Sequence, residues 1–247
     1  MPAPLMAIVA GFTTMFLASV TQGLTGFGFA IVSVPIMIIF ISPKIVVPVI
    51  LMHAIMVNIV ILIEARQWVD LKRIWPLIIA SLAGIPVGTY LLVVLNVSVL
   101  KVFIGSVIIP FVIAFWLGFN KPVKNEKLAL APVGFISGLL NASTSVGGPP
   151  VILFFVNQGV GRQVFRANLV VFYLIIGVLS ILAFVISGII TREVINYTMW
   201  FLPATIAGTM TGIKLTHKID EKLFRKIALI VVMIAAFSSI ALGLNRW

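Results

Sequence analysis

The sequence contains no cysteine, and only 9% of its 247 residues are charged. The lack of thiols excludes disulfides, cysteine nucleophiles and cysteine-ligated metals. A soluble domain is about a quarter charged, whereas this chain is 62% hydrophobic with a mean hydropathy of +1.25. Lipid must therefore solvate most of its surface. Acidic residues are especially scarce, and all six lie between the apolar segments or at their ends: Glu64, Asp70, Glu126, Glu193, Asp220 and Glu221.

Apolar segments bounded by glycine, proline or charge predict an all-α, polytopic transmembrane bundle. The ten segments fall at about 5–21, 27–40, 45–63, 74–94, 101–118, 129–140, 149–158, 167–190, 197–213 and 227–243. A polar stretch in the middle predicts a first repeat at 1–119, a cytoplasmic linker at 120–128 and a second repeat at 129–247. Weak internal similarity of this kind is typical of transporter folds. Gly11-Phe12 matches Gly134-Phe135, and the pair Gly84 and Gly88 matches Gly208 and Gly212.

The 17 basic residues predict how these segments cross the membrane. If the first two segments of each repeat form a hairpin, or one broken helix, thirteen basic residues share one side. The other side then holds only four, Lys44, Lys101, Arg192 and Arg246. The positive-inside rule favours this distribution over the even split that continuous spans would give. Each repeat then has five segments, so the second repeat is inverted relative to the first, and both termini are predicted outside.

Two polar, glycine-rich stretches interrupt the apolar sequence, one in each hairpin. Non-helical backbone at membrane depth is tolerated only inside protein or along a wet cavity, and inverted repeats bring such segments together near the midplane. Helix N-termini and neutral donors, with no carboxylate, favour an anion. Helix packing is the alternative explanation for the small residues. The predicted substrate site comprises Thr21, Gln22, Thr25, Gly26, Gly28, Asn141, Ser143, Thr144, Ser145, Gly147, Gly148 and Pro149.

Four further polar residues lie within or beside the apolar segments. His53 and Asn58 fall in the third segment and are candidates for a proton or gating role, although packing also explains a buried histidine. Arg166 and Asn168 follow the second hairpin and are candidates to guide anions inward. No pattern predicts a metal, a cofactor, an enzyme active site or a nucleic-acid partner.

Three motifs follow one another along nearly the whole chain. They are residues 22–28 with Pro35, the run from Gly134-Phe135 to Gly147-Gly148-Pro149-Pro150, and Arg166-Ala167-Asn168. Together they resemble those of the sulfite exporter TauE/SafE family. The resemblance implies export of a small anion such as sulfite, sulfoacetate or thiosulfate across a bacterial inner membrane, with membrane lipid as the surrounding partner. A passive anion channel and an uptake carrier for another small organic anion are the alternatives. Alternating access is expected from rocking of the two repeats.

Overall fold

The computed structural model describes residues 5–117, 126–215 and 221–244. Within these ranges the regular structure is entirely helical, as predicted. Residues 120–125 of the predicted linker lie outside the described residues. Residues 126–128, the rest of that linker, belong to the sixth helix. The helices are α1 (Leu5–Thr25), α2 (Phe29–Phe40), α3 (Pro43–Ala65), α4 (Leu71–Val94), α5 (Val97–Trp116), α6 (Glu126–Thr144), α7 (Gly148–Asn157), α8 (Arg162–Ile186), α9 (Arg192–Leu215) and α10 (Glu221–Leu244), with a 3-10 turn at Arg66–Trp68.

Several helices have the length and composition of membrane spans. Those in the described residues are Ile8–Thr25, Pro43–Trp68, Leu71–Val94, Val97–Ala114 and Arg162–Ile186. Large apolar side chains such as Ile63, Tyr90 and Ile186 are exposed on the outer surface, which suits contact with lipid acyl chains. The chain is therefore a multi-pass membrane protein.

Each predicted hairpin has one long and one short arm. The second arms, α2 with 12 residues and α7 with 10, are about 18 and 15 Å long at 1.5 Å per residue. Neither can cross a hydrocarbon core of about 30 Å. The first arms, α1 and α6, each extend four residues beyond their predicted ends at 21 and 140. The bends between the arms are consequently only three residues long, at 26–28 and 145–147.

Two helices form the centre of the bundle. α3 and α8 pack against each other, α2 and α9 pack on α3, and α4 packs on α8. Val47, Ile50 and Ile61 of α3 are fully or almost fully buried, and so are Val170 and Phe172 of α8. These two helices form the wall against which both bends lie.

Glycines bring two pairs of helices into backbone contact. A Cβ atom at Gly84 or Gly88 of α4 would lie 2.1 or 2.2 Å from the carbonyl oxygen of Phe135 or Leu139 in α6. At Gly208 and Gly212 of α9 the corresponding distances, to carbonyl oxygens of α1, are 2.4 and 2.5 Å. Small residues permit this close approach of membrane helices. We call the α4–α6 and α1–α9 contacts the two glycine seams.

Ion pairs join helix ends at one end of the bundle. Arg73 at the start of α4 pairs with Glu126 at the start of α6, at 3.0 Å. Arg166 near the start of α8 pairs with Glu64 at the end of α3, at 3.2 Å. At the opposite end, Lys44 Nζ donates to a carbonyl of α4, Val93 O. The described basic residues Arg73 and Arg166 thus share the end that the charge distribution predicts to be cytoplasmic.

Candidate binding cavity

The first bend depends on two glycines. Gly26 and Gly28 have φ values of +81° and +104°, in the left-handed region that side chains rarely adopt. A Cβ at Gly26 would also lie 2.5 Å from Arg166 Cγ. This bend therefore turns sharply, with an arginine side chain packed directly on it.

The second bend places a serine in the same unfavourable backbone region. Ser145, with φ of +61°, is the only non-glycine residue with positive φ in the part of the chain that the structure describes. Its hydroxyl donates to Val47 O of α3 at 2.7 Å, and its amide donates to Asn141 O at 2.9 Å. Such strain costs about 1 kcal/mol or more and is common at functional sites.

A cavity of about 40 Å³ lies between the two bends. Ala54 is the middle residue of α3 and Tyr173 is one residue from the middle of α8, so the cavity lies halfway along both central helices. None of the described residues that line it is charged. They are Gln22, Gly28, Phe29, Ala30, Ile31, Leu51, Ala54, Asn58, Asn141, Ser145, Val146, Gly148, Ile152 and Tyr173.

Hydrogen bonding orients Asn58 toward the cavity as a donor. Gln22 Oε1 accepts from the amide of Phe29 at 2.9 Å, so its Nε2 is left to donate to Asn58 Oδ1, at 2.7 Å. An amide group has one oxygen and one nitrogen, so the NH₂ group of Asn58 must point away from Gln22. That Nδ2 atom is buried without a partner, and Asn58 is only 1% exposed. A buried donor without a partner is costly and requires an explanation.

A second unpaired polar atom comes from α8. Tyr173 Oη is buried without a partner, and a Cβ at Gly148 would lie 2.8 Å from it. Gly148 therefore leaves the space in which the hydroxyl stands. Ala30 and Ile31 add the first turn of α2, where amides have no carbonyl partner within the helix. Tyr173 was missed by sequence analysis, because a single tyrosine in an apolar segment carries no periodic or compositional signal.

The structure brings together part of the predicted substrate set. Gln22 of α1 and Gly28 of the first bend line the cavity with three residues at the second bend: Asn141 of α6, Ser145 of the bend itself and Gly148 of α7. Asn141 Nδ2 itself donates to Ser180 Oγ of α8 at 3.0 Å. Seven predicted residues lie outside the lining: Thr21, Thr25, Gly26, Ser143, Thr144, Gly147 and Pro149.

Most hydroxyls predicted to bind substrate donate to carbonyl groups of their own helices in this structure. Thr21 Oγ1 donates to Leu17 O, and Thr144 Oγ1 donates to Leu140 O, at 2.8 and 2.7 Å. Thr25 and Ser143 form the same contact one turn back, to Thr21 O and Leu139 O. These bonds satisfy polar side chains inside an apolar bundle, so the polar residues are compatible with the continuation of α1 and α6 beyond their predicted ends.

Of the four gating candidates, only Asn58 lines the cavity. His53 is fully buried and faces α9, with Nδ1 2.9 Å from Thr205 Oγ1. Arg166 Nη2 donates to Gly23 O at the end of α1, at 3.1 Å, as well as pairing with Glu64.

Asn168, the last of these candidates, joins α8 to the start of α4. Its Oδ1 accepts from the amide of Asp70, the residue before α4, at 2.8 Å. It is completely buried and lies outside the cavity lining. In this structure Asn168 therefore holds two helices together, away from the cavity.

A multi-pass helical bundle with bent helix pairs and a small uncharged cavity at mid-height, lined by a few polar groups, has the architecture of a membrane transporter. The chain belongs to the TauE family, described as "Sulfite exporter TauE/SafE", which it matches over residues 11–239. This confirms the resemblance drawn from the three motifs, and the matched range contains both bends and every cavity residue. The family is one of membrane transporters for sulfite-type anions. No curated protein and no solved structure matches the chain.

Proposed function

We propose that this protein exports sulfite, or a closely related small sulfur oxyanion, and that the anion binds in the cavity between the two bends. The observation that carries the proposal is the pair of unpartnered buried groups in its wall, Asn58 Nδ2 and Tyr173 Oη. Asn58 Nδ2 is a donor only, and the tyrosine hydroxyl is able to donate. An oxyanion with several acceptor oxygens would satisfy both groups at once.

The backbone around the cavity also favours a negatively charged ligand. The first turns of α2 and α7 contribute Ala30, Ile31 and Gly148 to the lining. The N-terminal end of a helix carries roughly half a positive charge and exposes amide hydrogens, so it attracts anions. Among the described residues, the lining has no carboxylate that would oppose this field.

The two halves are proposed to form an inverted repeat, with the cavity near the membrane midplane. The packing between the halves supports this proposal. The first helix of each half packs on the fourth helix of the other half, α1 on α9 and α6 on α4. The matched glycine pairs Gly84–Gly88 and Gly208–Gly212 form both seams. A repeat related by a two-fold axis would generate such a pair of equivalent contacts.

The same seams argue against rocking of the sequence halves as rigid bodies. Each seam joins helices of different halves at backbone contact, so a relative rotation of the halves would separate both. We propose instead that α1–α9 and α4–α6 move as units against the central helices α3 and α8. Alternating access would then open the cavity between Gln22 and Asn58 on one side and between Asn141 and Ser180 on the other.

Tyr173→Phe tests the site with little disturbance of the fold. Loss of one hydrogen bond to a charged ligand costs about 1.5–3 kcal/mol, so the affinity for sulfite should fall roughly tenfold or more. Because the hydroxyl has no protein partner, thermal stability without ligand should stay unchanged or rise. Sulfite flux into or out of proteoliposomes at several concentrations measures the first effect, and thermal unfolding measures the second.

Tyr90→Phe is the matched control, since Tyr90 is 64% exposed on α4 and is not one of the lining residues named above. Equal flux by wild type, Tyr173→Phe and Tyr90→Phe would remove Tyr173 from the site. Absence of sulfite flux in the wild type, under either direction of gradient, would overturn the proposed function. Counterflow, in which sulfite inside the vesicle accelerates uptake of labelled sulfite, distinguishes a carrier from a passive channel.

The proposed orientation, with both termini outside the inner membrane, is tested by labelling, since the cysteine-free chain is its own background. Ser187 lies exposed between α8 and α9, and Gln67 lies exposed between α3 and α4. In spheroplasts, which lack the outer membrane but keep a sealed inner membrane, a membrane-impermeant thiol reagent should label Ser187→Cys but not Gln67→Cys. After permeabilisation both variants should be labelled. Labelling of Gln67→Cys but not of Ser187→Cys in sealed spheroplasts would show that the orientation is the opposite of the one proposed.

A further inference from the structure

The cavity wall offers an anion only neutral partners. Its polar side chains are Gln22, Asn58, Asn141, Ser145 and Tyr173. In the part of the chain that the structure describes, no lysine, arginine or histidine lines it. Resting on the proposed function, we propose that the site selects singly charged oxyanions and rejects dianions of the same size. The transported form of sulfite would then be the hydrogen-sulfite monoanion.

Desolvation makes charge the deciding quantity. The cost of moving an ion from water into a protein interior grows with the square of its charge, so a dianion loses about four times as much hydration free energy as a monoanion of equal radius. Neutral donors and helix termini compensate part of this loss, and their field is the same for both ions. The interaction gained therefore only doubles with charge while the cost quadruples. Without a cationic side chain, the balance turns against the dianion.

The nearest basic group on α8 is already neutralised. Arg166 lies seven residues before Tyr173, about 10 Å along the helix on the same face. Its guanidinium donates to Glu64 and to Gly23 O. Arg166 therefore completes an ion pair at the end of the bundle and does not line the cavity.

The size of the cavity agrees with a compact ligand. A volume of about 40 Å³ accommodates roughly three water-sized positions. A pyramidal SO₃ group has three oxygen atoms that accept hydrogen bonds. They match the three sources of donors at the cavity, which are Asn58, Tyr173 and the first turn of α2. Space for a long organic substituent would have to come from outside this cavity.

Methanesulfonate and sulfate provide a matched test of charge. Both are tetrahedral, sulfur-centred and built from five heavy atoms, but the first carries one negative charge and the second carries two at neutral pH. With wild-type protein in proteoliposomes at constant ionic strength, methanesulfonate should compete with sulfite flux. Sulfate should need a concentration at least tenfold higher for the same inhibition.

Thermal unfolding of the purified protein tests the same preference without transport. Methanesulfonate should raise the melting temperature in a concentration-dependent way, because it binds the folded state. Sulfate also stabilises many proteins by exclusion from their surface, without binding a site. The site-specific part of each rise in melting temperature is therefore the part that is lost in Tyr173→Phe and retained in Tyr90→Phe. That part should be clear for methanesulfonate and absent for sulfate.

The outcomes separate this inference from the proposed function. Sulfite flux that sulfate inhibits as well as methanesulfonate would overturn charge selection while leaving the transport function intact. Methanesulfonate-specific stabilisation without any sulfite flux would support the monoanion site and overturn the proposed function. If methanesulfonate neither competes nor stabilises, the monoanion site is wrong.

Discussion

Asn58→Asp is expected to reduce sulfite transport at low substrate concentration by about 100-fold or more. The substitution keeps the shape of the side chain and the oxygen that accepts from Gln22 Nε2 at 2.7 Å. It replaces the unpartnered Nδ2 donor with a carboxylate oxygen. The site then loses a hydrogen bond to a charged ligand, worth about 1.5–3 kcal/mol, and gains a like charge beside the anion, which costs several kcal/mol more.

Initial rates of sulfite flux in proteoliposomes measure this effect, and the substrate dependence separates affinity from turnover. Asn96→Asp is the control for an added acidic group, because Asn96 is exposed at the start of α5 and caps that helix by accepting from Val99 N. Aspartate serves equally well at that position, so flux should be unchanged. Wild-type rates for Asn58→Asp, in protein that melts at the wild-type temperature, would show that Asn58 does not contact the substrate.

Gly88→Ala is expected to lower the melting temperature by roughly 10 °C, through the α4–α6 seam and without touching the cavity. The new Cβ would lie 2.2 Å from Leu139 O and 3.0 Å from Ala142 Cβ. The first contact is with backbone, so the two helices must move apart. Overpacking typically costs 1–3 kcal/mol and more where backbone shifts, and each kcal/mol changes the melting temperature of a chain this long by roughly 2–4 °C.

Thermal unfolding in detergent, followed by tryptophan fluorescence, checks this expectation. Gly161→Ala is the matched control, since a Cβ there meets nothing within 4 Å and the residue has φ of −57°. Gly161 is the N-cap of α8, where glycine is preferred over alanine, so this change should cost about 1 kcal/mol, less than the separation of two helices at Gly88. Equal melting temperatures for Gly88→Ala and Gly161→Ala would mean that α4 and α6 do not contact each other through their backbones.

The two central helices explain how residues distant in sequence serve one cavity. α3 supplies Val47 O to Ser145 of the second bend and Asn58 to Gln22 of α1, shortly before the first bend. Val47 and Asn58 are separated by about 16 Å of helix. α8 likewise contacts Gly26 of the first bend through Arg166 and Gly148, at the start of α7, through Tyr173. Each central helix therefore contacts residues at or beside both bends, and the two helices together join the two sides of the cavity.

The positions of the two bends were predictable from the sequence, but their lengths were not. Polar residues such as Thr21 and Asn141 interrupt the apolar pattern, and the pattern therefore predicts that each helix ends there. In the structure α1 and α6 continue to Thr25 and Thr144. A threonine hydroxyl that donates one turn back along its own helix does not interrupt the helix, and hydropathy does not register such a bond.

The amino-acid sequence by itself determined the solvent of this protein, its helical segments and the family to which it belongs. Composition and one-dimensional spacing are sufficient for these, because an apolar segment must be helical in lipid to satisfy its own backbone. Only the tertiary structure decided which polar groups face the cavity without a partner. Asn58 presents a donor because Gln22, 36 residues away, occupies its oxygen, and Tyr173 is unpaired because Gly148 leaves room beside it. Hydrogen-bond partners of this kind depend on which helices meet, and that is a property of the packed bundle.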